Sequence, residues 1–147
     1  MNHSIEESLR ENGMHVSTTS GYSMMPMLKD RRDRVILRPV EEQPLRRYDL
    51  PLYKRPDGKY VLHRIIKVCD GYYIIRGDNT YVNEKIPFEW VIGYVTEFYR
   101  KGRHVSADSK RYRFYAAFWH FIYPLRLLKR KIRLLLGRAW RRLKGKA

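Results

Sequence analysis

Ser23 and His63 are the two side chains in this sequence whose types and settings suit acyl-transfer chemistry. Ser23 lies in SGYSMMP, residues 20–26, where Gly21 permits a positive φ or a close backbone approach and Pro26 fixes the direction of exit. A bare serine hydroxyl is a poor nucleophile near neutral pH, so such a loop does chemistry only beside a group that takes its proton. His63, forty residues further on in YVLHRII, is the obvious base. A turn segment, RGDNT at 76–80, follows closely and brings an acidic residue, Asp78, into the same region of the chain.

Together the SGYSMMP box, the His63–Arg64 pair and the Gly77-Asp78-Asn79 segment resemble the type I signal peptidases and the related LexA-like serine peptidases, over roughly residues 16–97. The resemblance implies Ser23 as the nucleophile of a GxSMxP box formed with Gly21, Met24 and Pro26. It places His63 where most bacterial members carry a lysine base, as in the endoplasmic-reticulum and archaeal-like branch. The implied reaction is that of a serine endopeptidase, which cleaves a leader or signal segment from a peptide or protein through an acyl-enzyme. It further implies the Ser23 backbone N–H as an oxyanion donor. Gly21 stands where some bacterial relatives have a helping serine, which leaves Ser20 as the side-chain alternative, and Met24 and Arg64 read as structural or substrate-groove residues. The orienting acid is open. Asp78 is preferred, Glu84 is the alternative, and a Gly-Asp-Asn turn in which Asp78 merely caps local N–H groups accounts for the same residues.

These residues need a β framework to position them. DRVILR at 33–38 reads as a strand leaving the nucleophile loop, and Asp57-Gly58 and Asp70-Gly71 are hairpin signals on either side of KYVLHRIIKV. As one strand, that run would carry Val61, His63, Ile65 and Lys67 on a single face. YYIIR and WVIGYVTEFY read as further strands, while Pro39, Pro44 and Pro51 exclude a central strand or continuous helix across that stretch, although Leu52 and Tyr53 can begin a strand. The expected architecture is mainly β, a compact antiparallel domain at 16–99 preceded by a polar segment at 1–15 and followed by a basic helical tail at 100–147. A length of 147 residues with 44% apolar content fits one such domain plus an appendage.

Nearly all of the net charge of +16 belongs to that tail. Up to Tyr99 there are fifteen basic and fourteen acidic residues, and from Arg100 onward sixteen basic residues and only Asp108. Leu125, Leu128, Ile132, Leu135, Ala139 and Leu143 recur at helical spacing, so the tail predicts a basic amphipathic helix. The aromatic segment before it, interrupted by Pro124, is too short and too charged to span a bilayer. The expected partner of residues 110–145 is therefore an anionic membrane surface. Phe114, Phe118, Trp119 and Trp140 could instead stack on bases, but a continuous apolar face fits lipid better than nucleic acid. The early residues are polar, with no apolar run of signal-peptide length, so the expected location is cytoplasmic with peripheral attachment to the membrane. His3, His15, His104 and His120 lack metal-ligand spacing, Cys69 is the lone cysteine, and no phosphate-binding glycine loop occurs. Neither a metal nor a cofactor is expected. The competing function class is a non-catalytic peptide-binding module of the same fold, whose tail docks on a membrane or nucleic acid.

Overall fold

The computed structural model describes residues 4–144. His3 and the outer ends of the segments expected at 1–15 and 100–147 lie outside the described residues. The chain opens with helix α1 (Ile5–Asn12), followed by strands β1 (His15–Thr18), β2 (Arg34–Arg38), β3 (Pro51–Lys54), β4 (Tyr60–Leu62), β5 (Arg64–Val68), β6 (Tyr72–Arg76), β7 (Glu84–Pro87), β8 (Val91–Arg100) and β9 (Arg103–Ser106). Helices α2 (Lys110–Phe121) and α3 (Tyr123–Lys144) follow.

All strand pairs are antiparallel, as the hairpin signals predict. One sheet runs β1-β2-β8-β3-β4, with β9 also on β8, and a second runs β5-β6-β7. The ten-residue β8 is the spine of the first, pairing with β2 on one side and with β3 and then β9 on the other. Gly58 and Gly71 take positive φ at the tips of the β3–β4 and β5–β6 hairpins, the conformation for which glycine carries no side-chain penalty. Pro51 is tolerated because it is the first residue of β3.

KYVLHRIIKV is not one strand. The chain leaves the first sheet after Leu62 and enters the second at Arg64, so His63 occupies the crossing point. A bulge between Ile65 and Lys67 then breaks the two-residue alternation. Ile65 is fully buried and Lys67 exposed, so the single face expected for Val61, His63, Ile65 and Lys67 does not form.

Each sheet has its own apolar cluster. Met24, Met27, Leu28, Val35, Leu37, Leu50, Leu52, Val95 and Phe98 fill the first, and Leu45, Tyr53, Ile65, Tyr73, Ile75 and Ile86 the second. The first cluster also takes residues from both segments expected to flank the domain. Leu9 reaches it from α1, whose Ser4 and Glu7 form a reciprocal capping box and whose C-terminus is closed by left-handed Gly13. Tyr112 reaches it from α2. Strand β9 and α2 therefore belong to the folded body, whereas α3 leaves it after its first turns. No residue of α3 is buried, and from Leu128 to Lys144 all but Gly137 are exposed. Among the described residues no helix is long and apolar enough to cross a membrane.

Candidate active site

The loop 19–33 that carries Ser23 is closed by its own hydrogen bonds. Thr19 Oγ1 donates to the carbonyl of Lys29 at 2.8 Å, the Asp30 carboxylate accepts from the Gly21 N–H at 2.7 Å, and the Asp33 carboxylate accepts from the Lys29 N–H at 2.8 Å. Gly21 sits at φ 89°, the positive-φ role its type allows. Met24, Met27 and Leu28 anchor the loop in the first apolar cluster, so Ser23 is held by buried neighbours.

The Gly-Asp-Asn segment docks on this loop. The Asn79 N–H donates to the Ser23 carbonyl at 2.7 Å, and the Asn79 side-chain amide donates to the Tyr22 carbonyl at 3.2 Å. Gly77 lies between Ser23 and His63. A Cβ added there would fall 2.7 Å from the Ser23 carbonyl oxygen and 3.1 Å from Nε2 of His63. Any side chain at 77 would force backbone or imidazole to move, so glycine is what lets the serine loop and the histidine share one spot.

Asp78 and Glu84 occupy opposite settings. The Asp78 carboxylate is buried and bound through both oxygens by Arg64, Nε to Oδ1 and Nη2 to Oδ2, each at 2.7 Å. Arg64 is itself fully enclosed and also donates to the Tyr112 hydroxyl at 2.8 Å and to the Tyr48 carbonyl at 3.2 Å. Burial by itself would depress the guanidinium, but the Asp78 carboxylate and the Tyr112 hydroxyl outweigh it and hold the arginine charged. The side chain of Asp78, the acid preferred above for orienting the imidazole, is thus bound to Arg64, and no hydrogen bond joins it to His63 among the described residues.

Glu84 lies on the other flank, gripped by both forks of Arg55, whose Nε donates to Oε1 at 2.9 Å. Burial would raise the Glu84 carboxyl, but Arg55 and the Tyr53 hydroxyl more than reverse this and keep it ionised. Tyr53 Oη is 3.4 Å from Nδ1 of His63. Glu84 and Arg55 thus stand behind the tyrosine, and Nε2 of His63 lies on the Gly77 side. Burial lowers the His63 pKa below its ordinary value. Glu84 and Asp78 partly oppose that shift and Arg55 adds to it, so the imidazole is neutral at pH 7.

Beside Ser23 lies a cavity of about 310 Å³. Ser20, Gly21, Ser23 and Met24 form one wall, and the edge strand β1, Ile5 of α1 and the β3–β4 hairpin close the others. Glu6 ties α1 to that hairpin, accepting from Lys54 Nζ at 2.9 Å and from the Tyr60 hydroxyl at 2.6 Å, and these bonds draw its carboxyl down to about 2. The Gly21 N–H is occupied by Asp30, while the Ser23 N–H bonds to no described residue. Met24 is both core and cavity wall.

The residues that brace this site were not legible as site residues. Tyr53 and Arg55 are separated from His63 in sequence by the β3–β4 hairpin and meet it only through strand pairing. Trp119 Nε1 donates to the Asp78 carbonyl at 2.9 Å, and Arg126, which stacks on the Trp119 ring at 3.9 Å, donates to the same oxygen. Their signal, an aromatic and basic segment, reads as a surface for partners, yet its first turns are internal scaffolding. Among the described residues no group of three metal-binding side chains is found. Compared with protein-family models and with curated proteins, the chain finds no match.

Proposed function

We propose that the chain is a Ser-His serine endopeptidase, similar in plan to the signal peptidases, that removes a leader or signal segment from a peptide or protein at an anionic membrane surface. The observation that carries this reading is the seating of Gly77, which leaves no room for a side chain between the Ser23 loop and Nε2 of His63. Substrate enters the cavity beside Ser23 as an extended segment along the free edge of β1. Neutral His63 takes the Ser23 proton at Nε2 as Oγ attacks the scissile carbonyl, a contribution of about 10²–10⁴ in rate. The Ser23 N–H receives the oxyanion, and Ser20 flanks the same cavity. His63 then passes its proton to the leaving amine, and water deacylates the serine by the reverse sequence. Tyr53, within reach of Nδ1, helps to hold the imidazole in position; Asp78 and Arg64 hold the Gly77 loop in place.

The membrane part of the proposal rests on α3. Leu125, Leu128, Ile132, Leu135 and Leu143 are all exposed, among basic residues that each contribute about 1 kcal/mol near an anionic leaflet. The helix does not cover the sheet, so its apolar stripe lacks a partner within the described body. The reading places the enzyme at the cytoplasmic face of the membrane.

The test incubates wild type and Ser23→Ala with a proteome-derived peptide library, with and without anionic liposomes, and maps new termini by mass spectrometry. Cuts that vanish in the variant, a loss of at least about 10³-fold, are expected. Equal cleavage by the variant rejects the mechanism. Tight retention of the same uncut peptides by both proteins would instead support the peptide-binding module.

A further inference from the structure

A second cleft, of about 670 Å³, opens between the end of β8, β9 and the start of α2, with none of the proposed catalytic residues in its walls. Its floor is apolar, made by Phe98, Val105 and Tyr112 among others. Arg100, Lys101, Arg103 and Arg111 converge on it. None of these four side chains is ion-paired with a carboxylate among the described residues. Asp33 accepts the Lys101 backbone N–H, but its carboxylate is already paired with Arg32. Arg100 is half-buried and donates from Nη2 to the Pro26 carbonyl at 3.2 Å, which leaves Lys101, Arg103 and Arg111 as the exposed cations at the cleft.

The geometry points to this cleft as a binding site for the phosphate headgroup of an anionic phospholipid, with the glycerol and the first part of an acyl chain on the apolar floor. Lys101, Arg103 and Arg111, all exposed, supply the attraction and the charge-assisted hydrogen bonds to phosphate oxygens. A naked anion would leave Phe98, Val105 and Tyr112 unused, so the ligand is amphiphilic. Its source is the bilayer, because Arg111 lies three and seven residues before Phe114 and Phe118 and therefore on the same face of α2. Phe114 and Phe118 stack on one another in solvent, with Phe121 exposed one turn further on, so the mouth of the cleft adjoins an exposed aromatic surface that continues toward the leucines of α3. The inference rests on the membrane part of the proposed function and is independent of the peptidase chemistry.

A lipid presented in monomeric form separates this site from adsorption of α3 to a bilayer. Dihexanoyl phosphatidylglycerol, kept below its micelle concentration, is titrated into the full chain and followed by calorimetry and by amide chemical shifts, beside dihexanoyl phosphatidylcholine, inorganic phosphate and an acidic phosphopeptide. Saturable binding with shifts at β9 and the start of α2 is expected, with affinity about tenfold or more below wild type in Arg103→Gln/Arg111→Gln, since two charge-assisted hydrogen bonds are lost. Both side chains are exposed, so the variant should unfold at the wild-type temperature. Leu128→Glu/Leu135→Glu should bind the monomeric lipid as wild type does even where liposome binding is lost. Equal affinity in wild type and the double arginine variant, binding of inorganic phosphate as tight as that of the lipid, preference for the phosphopeptide, or no saturable binding would each overturn the proposal.

Discussion

The two flanks of the His63 imidazole carry the same kind of ion pair built for different ends. On one flank Asp78 and Arg64 are enclosed, bidentate and supplemented by Tyr112 and Tyr48, so both charges are saturated by fixed partners. On the other, Glu84 and Arg55 are about one third exposed and reach the imidazole only through the Tyr53 hydroxyl. An acid whose oxygens are all engaged in a dry setting fixes architecture. One that is partly solvated, with a hydroxyl between it and the ring, tunes charge at little structural cost.

The comparison can be broken most directly at Asp78. Asp78→Ala leaves Arg64 charged and buried without its partner, and a loss of about 3–5 kcal/mol is expected in denaturant unfolding, with Arg64→Met/Asp78→Leu recovering much of it. An Asp78→Ala protein as stable as wild type would mean that the pair does not hold the fold. Gly77→Ala tests the junction between the flanks. Displacing the Ser23 loop from the imidazole by about 1 Å is worth on the order of 10² in kcat/KM, measured on a cleaved reporter peptide, with a smaller stability loss of about 1–3 kcal/mol from overpacking.

Effects at Glu84 should be smaller and of another kind. In the proposed mechanism His63 acts as a neutral base, so activity should fall as pH drops through its pKa, and the acid limb of kcat/KM is expected below the ordinary histidine value. Glu84 raises that pKa and Arg55 lowers it, so Glu84→Gln should move the limb to still lower pH, with stability changed by less than about 1 kcal/mol. A limb that moves upward would contradict the charge assignment. Tyr53→Phe sharpens the point with the smallest change, a drop of roughly tenfold or less in kcat/KM from loss of the contact with Nδ1. The Nδ1 chemical shift of the His63 ring should change in the variant, and an unchanged shift would mean that the hydroxyl does not engage the ring.

The sequence carried the antiparallel strands and their hairpin turns, because alternation and Asp-Gly pairs are local signals. It also carried the segments that meet at Ser23 and His63. What it concealed is non-local. The break of KYVLHRIIKV at His63 looks like continuous strand, since every residue in it has β propensity and only pairing shows that two sheets divide it. Asp78 looked like a partner for the nearest histidine, while its true partner, Arg64, is the residue beside that histidine, and one-residue differences in facing are invisible without the bulge and the crossing. Helix α1 was legible and missed. Ser4 and Glu7 spell a capping box just ahead of Leu9, but the acidic polarity of the segment masked its single buried face.

The root of α3 sets where this chain can be cut. Arg126 and Trp119 share the Asp78 carbonyl, the Tyr123 hydroxyl donates to the Tyr81 carbonyl at 3.2 Å, and Arg130 lies over the Tyr81 ring at 4.5 Å. A truncation placed at the start of the helix would strip the covering from the segment that also carries Gly77. The clean boundary for a tail-less protein falls after Arg130, where the helix has left the body and no described residue beyond it is buried.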